Sequence, residues 1–289
     1  MSYLQLVIAI ITISMQTIFA SYYNRQNAGC KDITRLYNLL QLGTLTVAWG
    51  CMFLSDLSFN AAVIPYSLIF GACFTASSFG LVNALRTGPV SLSSLFMQFS
   101  LIGTTIWGFF AWNDPITLLV IIGLVLVCIS LALCLYTGKE KSGQKITKQW
   151  LFYILIAFSG NMGCTVTQKQ QQLDFNGQHG NQLMFMAISL SMIMFVILYL
   201  RSDRSDTRVI LKRGWFWPVL SGTCNMITNV CVMLLATSSL SPSLIYPSLA
   251  VVCLTITMLF SLFAFKEKLR WWQWVGILIG AVATALLSI

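Results

Sequence analysis

The chain has 289 residues, 57% of them hydrophobic and only 9% charged; its mean hydropathy is +0.80. A soluble domain carries roughly a quarter charged residues, so this composition excludes the soluble globular classes and points to a bilayer. The net charge of +9 comes from Lys and Arg in short loops between apolar runs, so it concerns orientation in a membrane and not nucleic-acid binding.

A spanning helix needs roughly 20 mostly apolar residues. Segments that qualify lie at about 3–23, 34–54, 63–84, 89–110, 116–136, 149–168, 181–200, 214–236, 242–264 and 271–288. The first reads as a spanning helix and not as a signal peptide, because it has no basic leader and no small-residue cleavage site. The basic stretch at 137–148 reads as a linker between two halves, 1–136 and 149–289. A second basic stretch, RSDRSDTRVILKRG, covers 201–214.

The halves repeat. A step of 153 residues carries Pro65 to Pro218, Pro89 to Pro242, Thr104 to Thr257, Asp114 to Glu267 and Gly123 to Gly276. The first helices follow with a shorter step of about 146, the difference falling in the 201–214 loop. Internal repeats with a central solute site are a common plan of secondary transporters.

Charge tests the repeat independently. Of 17 Lys and Arg residues, all but Lys169 fall in alternate loops, the pattern of one cytoplasmic face. Ten helices then put both termini outside. Five helices per half force the halves to insert in opposite senses, and equivalent loops do carry opposite bias. The expected fold is all-α and integral to the membrane, with ten transmembrane helices as two inverted five-helix repeats.

Eight of the nine cysteines lie in apolar runs, with no CxxC pair and no His-Cys cluster, so neither a disulfide framework nor a metal site is expected. Trp112, Trp150, Trp215, Trp217, Trp271, Trp272 and Trp274 lie at segment ends, as an interfacial aromatic belt requires.

The closing stretch LATSSLSPSLIYPSLAVVCLTITMLFSLFAFKEKLRWWQWVGILIGAVATALL resembles the last helices of the drug/metabolite transporter superfamily, in its EamA-like branch. The carriers of that resemblance are Pro242 and Pro247, the turn Phe265-Lys266-Glu267-Lys268-Leu269, and then Gly276 and Gly280. Lys266 stands where the family usually has Gly. Asn161 to Lys169 resembles the stretch that opens a repeat, without its Trp. The resemblance implies a 5+5 fold and a transporter in the cell (inner) membrane, with export as the family habit. The short multidrug members rely on a first-helix Glu; here that region reads Ile13-Ser14-Met15-Gln16-Thr17. No carboxylate sits at mid-membrane, so proton exchange of that type is not expected.

The polar groups left in the apolar runs are neutral. Candidate substrate-binding residues are Gln16, Thr75, Gln98, Asn161, Asn225, Asn229 and Tyr246. Asn225 and Asn229 are four apart and so share a helix face. Amides both donate and accept hydrogen bonds, which suits a neutral or zwitterionic solute. Each also has a plainer role as a tie between helices. Pro247, deep in its helix, and Lys169, the one basic residue on the other side, are the gating candidates; Lys169 could equally snorkel to headgroups.

The expected function is transport of a small polar organic solute, an amino acid or similar metabolite, by alternating access. The rivals are an exporter of hydrophobic cations and a non-transporting receptor or scaffold. No enzyme activity and no cofactor is expected. The expected partners are the solute and the lipid bilayer, and a homodimer stays open.

Overall fold

The computed structural model describes residues 1–27, 29–30, 33–55, 58–87, 90–135, 147–201, 205–264 and 270–287. Among them every regular element is helical. Apolar runs of this length cannot leave backbone N–H and C=O groups unpaired in lipid, and a helix pairs them locally.

Each expected segment lies on a helix: α1 (Ser2–Gln26), α2 (Ile33–Ser55), α3 (Ile64–Thr87), α4 (Val90–Ala111), α5 (Leu118–Leu135), α6 (Lys148–Asp174), α7 (Gly180–Leu200), α9 (Phe216–Ala236), α10 (Pro242–Ala264) and α11 (Trp271–Leu287). Six stretches are long and apolar enough to cross a membrane: Ser2–Gln26, Ala61–Leu81, Lys148–Asp174, Gly180–Leu200, Phe216–Ala236 and Pro242–Phe260. The protein is therefore a helical, membrane-embedded chain. Pro89, the Phe265–Leu269 turn and all but the last two residues of the 137–148 linker lie outside the described residues.

Two local departures from the sequence reading stand out. The basic stretch at 201–214 contains α8 (Thr207–Gly214), which buries Ile210 and Gly214 and exposes Arg208, Lys212 and Arg213. More consequentially, α6 runs on to Asp174 instead of ending near 168. Gln and Lys are good helix formers, so the Gln168–Gln172 run continues the helix despite its polarity. The stop comes at Asn176 and Gly177, both at positive φ (51° and 80°). The Gly177 N–H donates to the Gln172 carbonyl at 2.8 Å, the long return bond of a left-handed helix cap.

The helices form two compact units. Unit 1 holds Met1–Thr75 and Thr167–Ser238; unit 2 holds Ala76–Val166 and Ser239–Ile289. Each draws helices from both halves of the sequence, and α3 and α6 contribute to both units. In unit 1, Tyr23, Leu36, Tyr37 and Ile210 pack together. In unit 2, Ile102, Val127, Leu131, Val251 and Leu287 form one core cluster, and Ala84, Trp150, Ile154 and Ala157 another. Trp150 is thus a core residue and not part of an interfacial belt; its indole N–H donates to Ser93 Oγ at 3.0 Å.

Close helix approaches depend on missing side chains, as expected where lipid removes the hydrophobic drive between helices. In unit 2, a Cβ on Gly123 would fall 2.8 Å from Leu287 Cγ, and one on Gly276 would fall 2.8 Å from Cys134 Sγ. The two contacts are reciprocal: Gly123 and Gly276, like Cys134 and Leu287, stand 153 residues apart. Unit 1 has a similar pair. Gly71 of α3 packs on Ala187 and Leu190 of α7, while Gly222 of α9 packs on Gln41 and Thr44 of α2. Ala187 follows Gln41 by 146 residues, and Leu190 follows Thr44 by the same step.

The tightest of these approaches against backbone is Gly80 of α3 on α6, where a Cβ would stand 2.7 Å from both Ala157 N and Tyr153 O. Backbone cannot step aside as a side chain can. Gly80→Ala is therefore expected to cost about 1–3 kcal/mol, outweighing the better helix propensity of Ala. Thermal unfolding in detergent should show a clear loss for Gly80→Ala. Gly43→Ala, whose methyl would meet only Met192 Cε at 3.8 Å, should show none.

Candidate functional site

Unit 1 holds most of the polar candidates that the sequence suggested. Gln16 on α1, Asn225 and Asn229 on α9 and Gln168 on α6 join in one chain of amides. Gln168 Nε2 donates to Asn229 Oδ1 at 3.2 Å. Asn229 Nδ2 donates to Asn225 Oδ1 at 2.9 Å, and Asn225 Nδ2 to Gln16 Oε1 at 2.8 Å. Gln16 Nε2 then donates to Thr228 Oγ1 at 3.1 Å, and Thr228 meets Thr12 Oγ1 at 2.7 Å. Every amide in the series donates in the same direction.

Helix geometry explains the assembly. Asn225 and Asn229 lie one turn apart on α9, and Thr228 shares that side. The three therefore face α1 and α6 together, and Asn229 also donates to the Asn225 backbone carbonyl at 2.9 Å. The chain ties three helices. One of the two Asn225 Nδ2 donors has no partner among the described residues, so the series is not saturated.

One turn further along both helices lies a cavity of about 530 Å³. Gln172 follows Gln168 on α6 and Met233 follows Asn229 on α9, and both line it with Trp49, His179, Gly180 and Asn181. The remaining wall includes Met52, Val230 and Leu234, so the space is amphipathic. Its outer edge is held by paired amide bonds. Gln182 Nε2 donates to the Asn60 carbonyl and Gln182 Oε1 accepts from the Asn60 N–H, both at 2.8 Å. His179 Nδ1 lies 3.1 Å from the Ser58 carbonyl, and Tyr66 donates to Asp174 Oδ2.

The other candidates are placed differently. Thr75 is in unit 1 but donates to the Gly71 carbonyl and to Ser191 Oγ, a link between α3 and α7. Lys169 is 6% exposed inside α6, so it does not snorkel from a helix end. Gln98, Asn161, Tyr246 and Pro247 belong to unit 2. There Asn161 Nδ2 donates to Ser100 Oγ at 2.6 Å, and Thr165 meets Thr104. Tyr246 is buried, Pro247 lies within the continuous α10, and Gln98 is half-buried in α4.

Sequence reading missed Trp49, Gln172, Gly180 and Asn181. Two signals were available. Trp49 lies away from the segment ends that interfacial tryptophans favour, and Gln168–Gln172 is an unusually dense amide run.

No protein family matches the chain, and no curated protein does. Similar solved structures exist, and 28 chains match, so this helix arrangement recurs among known folds. One, described as "Crystal structure of protein", has a TM-score of 0.73 at 12% identity, over 99% of this chain and 95% of that one. At that identity the likeness shows the fold alone.

The amide chain has a direct energetic test. Asn225→Leu leaves Gln16 Oε1 without its partner and Asn229 Nδ2 with only the backbone carbonyl of residue 225, and should destabilise the protein by about 1 kcal/mol. A double-mutant cycle on Gln168→Leu and Asn229→Leu should give a coupling of about 0.5–2 kcal/mol, read from unfolding in detergent.

Proposed function

We propose that the chain is a secondary transporter of a small polar organic solute, an amino acid or similar metabolite, working by alternating access. The observation that carries this reading is the uncharged amide chain linking membrane-type helices, with Gln168 buried and Gln16, Asn225 and Asn229 half-buried, one turn from a cavity of about 530 Å³. Buried amides are costly in a membrane interior, and functional polar groups there face a cavity or one another. The cavity falls within the roughly 300–1,000 Å³ typical of small-molecule sites. Neutral donors and acceptors suit a solute that arrives without net charge.

The ten-span reading, with two inverted five-helix repeats, belongs to the same proposal. It is supported by the reciprocal contacts of Gly123 and Gly276, which stand 153 residues apart, and by the loop charges. Those charges favour a cytoplasmic position for the basic loops, including α8, and external termini in the cell's inner membrane. The resemblance to EamA-like transporters favours export.

Counterflow in proteoliposomes tests the function. Preloaded vesicles should accumulate one or more labelled amino acids saturably, and Asn225→Leu should lower the rate at least ~10-fold at equal folded protein. Accumulation of tetraphenylphosphonium with none of any amino acid would replace this reading by export of hydrophobic cations.

A further inference from the structure

The amide chain does not account for two features of the unit 1 cavity. Trp49 lines it and is 0% exposed, yet its indole N–H has no partner among the described residues. An indole can only donate, so an acceptor placed beside the ring would supply the partner that the described residues do not. The second feature is the start of α7. Its cap residue, His179, makes no side-chain capping bond, and Gly180 and Asn181 line the same cavity. Uncapped first-turn N–H groups carry the positive end of the helix dipole.

Gly180 sharpens the placement. A Cβ there would fall 2.8 Å from Met233 Sδ and 3.0 Å from Gln172 Nε2, so the bare backbone of the first turn stands between two lining side chains. No Asp or Glu lines the cavity among the described residues. The nearest acid along α6, Asp174, is engaged by Tyr66 and Gln170. Lys169 is buried in the same unit, three residues before Gln172 and hence on the same side of α6. Among the described residues the charges and the α7 dipole favour an anionic oxygen, while Met52, Val230, Met233 and Leu234 supply an apolar wall.

We propose that this cavity binds small organic carboxylates with an apolar body, the carboxylate accepting from Trp49 Nε1 and the first N–H groups of α7. An amine on the ligand is tolerated but not required. Calling the ligand a transported solute rests on the transporter reading; the binding chemistry does not.

The test is calorimetric titration of the purified full-length protein with three probes. L-leucine carries both groups, 4-methylpentanoate lacks the amine, and leucinamide lacks the carboxylate. Leucine and 4-methylpentanoate should bind saturably, with leucinamide at least ~10-fold weaker. Trp49→Phe keeps the ring and removes the N–H, and should weaken both carboxylates about tenfold. Gly180→Ala should weaken them too, and it remains a usable variant if Trp49→Phe does not fold. Equal binding of leucinamide, native affinity in both variants, or no binding of either carboxylate overturns the proposal. Counterflow run alongside separates the two readings. Trp49-dependent binding without flux keeps the carboxylate site and removes the transporter. Amino-acid flux that ignores Trp49 and accepts leucinamide does the reverse.

Discussion

The organisation of unit 1 depends on one constraint: an amide buried among apolar helices must find its partner within the protein or in a bound molecule. Water is not there to complete it, and the cost of leaving it incomplete is about 1–3 kcal/mol. The buried Gln168 and the half-buried Gln16, Asn225 and Asn229 meet that constraint with one another. In doing so they hold α1, α9 and α6 at fixed register. A helix shift of one turn, roughly 5.4 Å, would break the series at several links together.

The same constraint shapes the cavity edge. Gln182 is 1% exposed and pairs both ends of its amide with the Asn60 backbone. Gln171, also buried, donates to the Gln178 carbonyl and so fixes the α6–α7 turn. With those bonds made, the segment that borders the cavity is held by polar groups as well as by the ring contacts of Phe175 with Tyr66 and His179. Two buried polar atoms of unit 1 are left over, Asn27 Oδ1 and the Trp49 indole N–H, and Trp49 borders the cavity.

Much of this was readable from the residues. Long apolar runs identify helices because lipid leaves the backbone no alternative, and each expected segment does lie on a helix. The one-turn spacing of Asn225 and Asn229 announced a shared face. The partnership of Gln16 with Asn225 was not readable, because those residues lie on different helices 209 positions apart. The end of α6 was misplaced because Gln168–Gln172 looks like loop by polarity, whereas its amides are largely buried and bonded. Lys169 reads as a loop-side residue by charge, whereas it is buried within the extended α6. α8 was hidden in a charged stretch with a short apolar run, of which Ile210 is buried and Val209 exposed. The division into units could not be read from the order of the helices, since each unit takes helices from both halves.

The most direct test of unit 1 as the solute site is photo-crosslinking with photoleucine, followed by peptide mapping. Adducts should concentrate at residues 49–52, 177–181 and 230–234, and excess unlabelled leucine should remove them. Competable adducts confined to unit 2, for example around Gln98, Asn161 or Tyr246, would contradict that placement.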